Sequence, residues 1–79
     1  MKIDNQINNI SIIKLEYFID RYIIKIEILD SYSYIRKIDI KCRKNEIVLK
    51  VKFTKFKFLS YKKNTFEIIS KEVDKLTFK

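Results

Sequence analysis

The reading of the fold turns on residues 38–53, Ile38-Asp39-Ile40-Lys41-Cys42-Arg43-Lys44-Asn45-Glu46-Ile47-Val48-Leu49-Lys50-Val51-Lys52-Phe53. Apolar side chains recur at every second position on both sides of a polar centre, the period of strands with one buried face. A turn at Lys44-Asn45 sets Ile38 against Val51, Ile40 against Leu49 and Cys42 against Ile47. The same turn sets Asp39 against Lys50 and Arg43 against Glu46, so apolar meets apolar on one face and opposite charges meet on the other.

Toward the N-terminus the alternation continues. Ile24, Ile26 and Ile28 interleave with Lys25 and Glu27, and Ile13, Leu15, Tyr17 and Ile19 interleave with Lys14, Glu16 and Phe18. A loop over 30–34 would place Ile26 against Ile38 and Ile24 against Ile40. A tight turn at Asp20-Arg21 would place Tyr17 against Ile24 and Leu15 against Ile26, with Glu16 facing Lys25 and Lys14 facing Glu27. Together these turns predict a four-stranded antiparallel meander over 12–59 with a charge-laddered outer face. A helical reading of this part (Ile12, Leu15, Ile19, Tyr22, Ile26) loses that charge complementarity. Residues 1–10 are short and polar and read as a frayed segment or a single helical turn.

Toward the C-terminus the apolar phase slips after Phe53 to Phe56 and Phe58, the mark of a β-bulge at Thr54-Lys55. On this reading all three phenylalanines point inward. Phe66, Ile69, Val73 and Leu76 then fall at helical spacing, with Asn64 and Glu67 at the capping-box offset and Glu67 and Lys71 four apart. A helix over 65–76, packed on the apolar face, is preferred to a final strand, which the β-branched content and Leu76-Thr77-Phe78 would also suit. The expected fold is therefore α+β and mainly β: one domain over 1–79, an antiparallel meander with a bulged last strand, and a C-terminal amphipathic helix on one face.

Seventy-nine residues lie near the lower size at which a core holds a fold unaided. The single cysteine excludes an internal disulfide, and the absence of histidine excludes a Cys/His zinc site. Packing must supply the stability, and sixteen isoleucines are available for it. The bias toward Ile, Lys, Asn, Tyr and Phe is also what an A/T-rich genome produces. No run approaches the roughly 20 apolar residues of a membrane span. The first residues, Met1-Lys2-Ile3-Asp4-Asn5-Gln6, lack the basic and apolar regions of a secretory signal, and a cytoplasmic setting, which fits the single unpaired cysteine, is expected.

The absence of glycine removes phosphate-cradling loops, and the absence of histidine removes the commonest general base and every Ser-His or Cys-His pair. Cys42 falls in the inward phase as a buried thiol. Asp30 with Asp39-Ile40-Lys41 is similar to the acidic constellation of metal-dependent nucleases, but the register gives Asp39 a structural place between Lys25 and Lys50. The expectation is a protein that is not an enzyme and uses no cofactor or metal.

The formal charge of +8 is concentrated. Residues 1–40 and 64–79 are each balanced, whereas 41–63 carry nine basic residues against Glu46 alone. Lys41, Arg43, Lys44, Lys50, Lys52, Lys55, Lys57, Lys62 and Lys63, with Tyr61 at the turn, are the candidate anion-binding residues. Outward lysines two apart on a strand stand ~6.6–7 Å from each other and can follow a phosphate backbone. The same lysines suit a solvated face that discourages edge-to-edge pairing. The expected function is binding of a nucleic acid, or of an acidic surface on a nucleic-acid-handling complex. A second reading starts from the apolar residues that flank the charge ladders: Ile12, Leu29 and Ile35 on one side, Phe18, Ile23 and Val48 on the other. Exposed rows of this kind mark a protein interface, and would suit a phage- or mobile-element-encoded inhibitor of a host protein, of the anti-CRISPR type. A self-associating subunit, a homo-oligomer, is the third reading.

Overall fold

The computed structural model describes residues 1–61 and 63–79. Seven strands follow in order: β1 (Lys2–Asn5), β2 (Ile10–Phe18), β3 (Arg21–Ile28), β4 (Tyr34–Arg43), β5 (Glu46–Thr54), β6 (Thr65–Ile69) and β7 (Lys75–Phe78). A single turn of 3-10 helix, Lys57–Leu59, interrupts the β5–β6 connection. The strands form two sheets, a mixed one ordered β1-β7-β5-β4 and an antiparallel one ordered β2-β3-β6.

The β4–β5 hairpin has the register expected from its sequence, with Ile38↔Val51, Asp39↔Lys50, Ile40↔Leu49, Cys42↔Ile47 and Arg43↔Glu46. Its turn places Asn45 at φ 60°, a left-handed conformation that asparagine tolerates better than most residues. The meander, however, is not formed. β3 pairs with β2 and β6, not with β4, so the chain passes between sheets across residues 29–33. Alternation decides which face of a strand is buried but leaves its partner open, because any second apolar face satisfies it.

The β2–β3 turn also sits one residue earlier than expected. Its two loop residues are Ile19 and Asp20, so Tyr17 faces Tyr22 and Leu15 faces Ile24. Lys14 consequently lies opposite Lys25, and Glu16 opposite Ile23, which dissolves the anticipated ladder. The bulges lie between Ile12 and Lys14 and between Ile35 and Lys37, not at Thr54-Lys55, where β5 simply ends.

The C-terminal helix is absent. Phe66 and Ile68 point into the core while Thr65, Glu67 and Ile69 are exposed, the period of a strand. The helical spacing depended on Ile69 facing inward, and its exposure breaks it. β7 then crosses back and inserts between β1 and β5, parallel to both. The N-terminal segment is accordingly not frayed: β1 is hydrogen-bonded along β7, with Lys2 N–H donating to the Asp74 carbonyl and Gln6 N–H to the Phe78 carbonyl, both at 2.8 Å.

The core lies between the sheets. Tyr22, Ile24 and Ile26 of β3 meet Ile47 and Leu49 of β5 and Leu76 and Phe78 of β7, all at most 1% exposed. Burying each aliphatic member stabilises by about 1.5–3 kcal/mol relative to exposure. The Tyr22 hydroxyl accepts the Val73 N–H at 2.8 Å, so the crossing into β7 leaves no orphan polar group there. Cys42 is exposed, and Ile40 is partly so, because β4 is an edge strand that the second sheet does not cover along its length.

Two stability predictions follow from this packing. Ile19, a β-branched residue, is held at φ 57° on the turn, a conformation that costs an L-residue with a Cβ roughly 1–2 kcal/mol. Ile19→Gly is expected to stabilise by about 1 kcal/mol and raise Tm by several degrees in a thermal melt. Phe78→Ala is expected to destabilise by about 3–5 kcal/mol, whereas Phe58→Ala, in the exposed connection, changes stability by less than about 0.5 kcal/mol. Denaturant titration of both variants checks the contrast.

Candidate nucleic-acid interface

Residues of β4 and β5 alternate between the core and the outer face of the mixed sheet. While Ile47, Leu49 and Val51 are buried inward, Val48, Lys50 and Lys52 project outward, joined across the register by Lys41, Asp39 and Lys37. β7 adds Lys75 and Thr77 beside Glu46 and Val48, and Lys79 follows in phase next to Lys50. Lys41, Lys50, Lys79 and Asp39, joined by Arg43 at the end of β4, surround Val48 in one shallow depression. Val48 itself is only 7% exposed, as expected where long cationic stems cover an apolar floor.

The carboxylates of this face are already engaged. Lys75 Nζ lies 3.9 Å from Asp4 and 3.8 Å from Glu46, and Glu46 also accepts the Thr77 hydroxyl at 3.0 Å. Asp39 is 3.4 Å from Lys37. Among the described residues, no carboxylate lies within ion-pair distance of Lys41, Arg43, Lys50, Lys52 or Lys79. Adjacent strands stand ~4.8 Å apart and alternate residues ~6.6–7 Å along each strand, so these cations form a two-dimensional array without an ion-pair partner among the described residues.

The remaining basic candidates lie elsewhere. Lys44 sits at the tip of the β4–β5 hairpin, and Lys55, Lys57 and Lys63 belong to the β5–β6 connection. Lys62 falls outside the described residues. Tyr61 is half exposed and stacks on Phe66, with ring centroids 5.7 Å apart and planes at 25°. Phe56 and Phe58 are not core residues as expected but point to solvent. Lys75 and Lys79 are members of the face that the sequence reading misses, and reading Leu76-Thr77-Phe78 as an alternating strand finds both.

The residues named for an apolar docking surface do not gather on one. Ile35 and Val48 are buried, and Ile12 is half-buried and packs against the core. Ile23 is half-buried on the outside of the antiparallel sheet, and Phe18 and Leu29 are exposed at opposite ends of the β2–β3 pair.

Among the described residues no group of three or more Asp, Glu, Cys or His side chains could hold a metal ion. No helix among them is long and apolar enough to cross a membrane. Asp30 serves the β3–β4 connection. Its Oδ1 accepts the Tyr32 and Ser33 N–H groups at 3.0 and 2.7 Å, and its Oδ2 accepts Asn9 Nδ2 at 3.0 Å. The Asn9 hydrogen bond, helped by the two backbone bonds and opposed by partial desolvation, holds this carboxyl below its ordinary value of 3.8. Asp20 is likewise lowered, chiefly by the hydrogen bond from Arg21.

Comparison with protein-family models, with curated proteins and with solved structures finds no match for this chain.

The lowered carboxyls fix the sign of an acid response. A carboxyl depressed in the folded state contributes stability that is present above its unfolded value and lost as pH falls through the folded one. Asn9→Ala removes the main cause of the shift at Asp30. It is expected to lower stability at pH 7 and to flatten the loss seen below about pH 5, as followed by circular dichroism across an acid titration.

Proposed function

We propose that this chain is a non-catalytic binding protein that holds a nucleic acid by its phosphates on the outer face of the mixed sheet. The observation that carries this reading is the cluster of Lys41, Arg43, Lys50 and Lys79 around Val48, in which the carboxylate of Asp39 is engaged by Lys37 and that of Glu46, across the register from Arg43, by Lys75 and Thr77. Lys52 and Lys37 face each other one step along the same face, and like charges directly opposite are destabilising in a sheet. An array of this kind is relieved when a polyanion supplies the missing charge, and backbone phosphates at nucleic-acid density do so by releasing condensed counterions. Lysine and arginine contacts of this type position a backbone and carry no base sequence information themselves, so the expected binding is tolerant of sequence.

The absence of glycine and histidine from the whole chain removes the phosphate loops and the imidazole bases that catalysis most often uses, which supports binding without turnover. The alternative of an inhibitor docking on a host protein through exposed apolar rows has less support. The six residues that would form those rows are divided between core, half-buried positions and separate ends of the molecule.

The test is a salt series with labelled oligonucleotides, comparing the natural chain with Arg43→Glu/Lys50→Glu. The natural chain is expected to bind, with affinity falling linearly on a log–log salt plot. The double reversal is expected to weaken binding at least about tenfold at low salt and to flatten the slope by roughly 1.5, the share of two phosphate contacts. Unchanged affinity and slope in the variant would sink the proposal.

A further inference from the structure

The connection from β5 to β6 carries the clearest departure from ordinary burial. Phe56 and Phe58 are 59% and 82% exposed, although large apolar rings usually lie inside. They do not hang from an unstructured loop. The Thr54 hydroxyl accepts the Phe56 N–H at 3.1 Å, and the Phe56 carbonyl accepts the Leu59 N–H at 3.0 Å. The Lys57 carbonyl accepts the Ser60 N–H at 3.0 Å, and the Tyr61 N–H reaches the Ile35 carbonyl of β4. The two rings sit 5.7 Å apart with planes at 48°, each with aromatic surface toward solvent.

We infer that Phe56 and Phe58 are a stacking arm for unpaired nucleobases, so that the polyanion taken by the basic face is a single-stranded nucleic acid. The inference rests on the reading of that face given above and specifies its ligand. Lys55 and Lys57 interleave with the two rings, and among the described residues neither is within ion-pair distance of a carboxylate. Alternating ring and cation is the combination that single-strand binding uses: any base offers a π-face, and the cations take the phosphates between. The two regions are adjacent in the chain: Lys50 and Lys52 project from the outer face of β5, and the arm begins where that strand ends at Thr54. On this inference a nucleic-acid strand held along β5 reaches the arm. A duplex meets the same cations but keeps its bases stacked inside, so it gains nothing from the rings.

The other exposed apolar cluster does not compete for this ligand. Phe18, Ile19 and Ile69 lie at the β2–β3 turn end. Of their charged neighbours there, Asp20, Arg21 and Glu67 are paired with one another, which leaves Lys71 as a single cation beside Ile19 and Ile69. Tyr61 is not a free platform either, because Phe66 covers one of its faces.

The chain contains no tryptophan, so Phe58→Trp places one indole on the arm as a reporter. The full chain is titrated with oligothymidylate and oligouridylate of about twelve nucleotides and with a blunt duplex of similar length. Either single strand is expected to quench the indole saturably. Phe56→Ala/Phe58→Ala is expected to lose about tenfold or more in single-strand affinity and less than about twofold for the duplex, with an unchanged melting curve confirming the fold. No quenching with unchanged single-strand affinity in the double variant, or an equal loss for both ligands, overturns the stacking arm. The basic face then stands alone if Arg43→Glu/Lys50→Glu still weakens binding at least about tenfold. If the natural chain binds no oligonucleotide at low salt, the basic face fails and the arm fails with it.

Discussion

The insertion of four residues, Lys75–Phe78, between β1 and β5 is the constraint on which the mixed sheet depends. β7 is hydrogen-bonded on both sides and nearly buried on both faces: Leu76 and Phe78 enter the core while Thr77 is covered on the outside. Without it, β1 has no partner and β5 is left in a two-stranded hairpin, which is marginal in water on its own. The pairing joins the two ends of the chain through parallel ladders, the least local contacts available to it, so their entropic cost is offset only when the core closes around them. The same insertion carries Lys75 and Lys79 onto the outer face. Lys75 lies between the carboxylates of Asp4 and Glu46 there, and Lys79 completes the ring of cations around Val48. Fold and candidate site thus share one element.

What could be read from the sequence was what is local. The β4–β5 register is fixed by a short turn in which Asn45 accepts a left-handed backbone, and by alternation on both arms; nothing distant is needed to see it. The β2–β3 register was misread because its turn falls on Ile19 and Asp20, and an exposed isoleucine at positive φ violates the preference on which turn reading relies. Charge complementarity did not rescue the assignment. In a chain that is 35% charged, Lys and Glu alternate closely enough that a wrong register also pairs them. The sheet-to-sheet crossings after β1, β3, β5 and β6 leave no periodic mark at all. They depend on which apolar faces fill the volume between two sheets, a property of the assembled core.

The candidate site divides along the same line. Lys41, Lys50 and Lys52 were legible as outward residues because strand alternation places them. Lys79 was hidden by the helical reading of 65–76, which arose from treating Ile69 as a core residue when it is 72% exposed. The inward reading of Phe56 and Phe58 carries strand alternation past Thr54 through a bulge, but β5 ends at that residue. With sixteen isoleucines and six phenylalanines in 79 residues, the core between two small sheets is filled before the apolar supply is exhausted. Hydrophobic residues are then left outside, and identity ceases to predict burial.

This surplus bears on how the two outward features relate. A cationic array and a pair of bare rings each carry a cost in the free protein, through like-charge repulsion between neighbours such as Lys37 and Lys52 and through hydration of apolar surface. Salt acts on the two in different ways. It screens the lysines, stabilising the free fold while weakening its hold on a polyanion, but it leaves contact between a ring and a base largely intact. A binding surface made of cations alone would lose its ligand as ionic strength rises. One that continues from β5 into Phe56 and Phe58 retains a salt-insensitive part of its affinity, and the residual binding at high salt therefore separates what the rings contribute from what the lysines do.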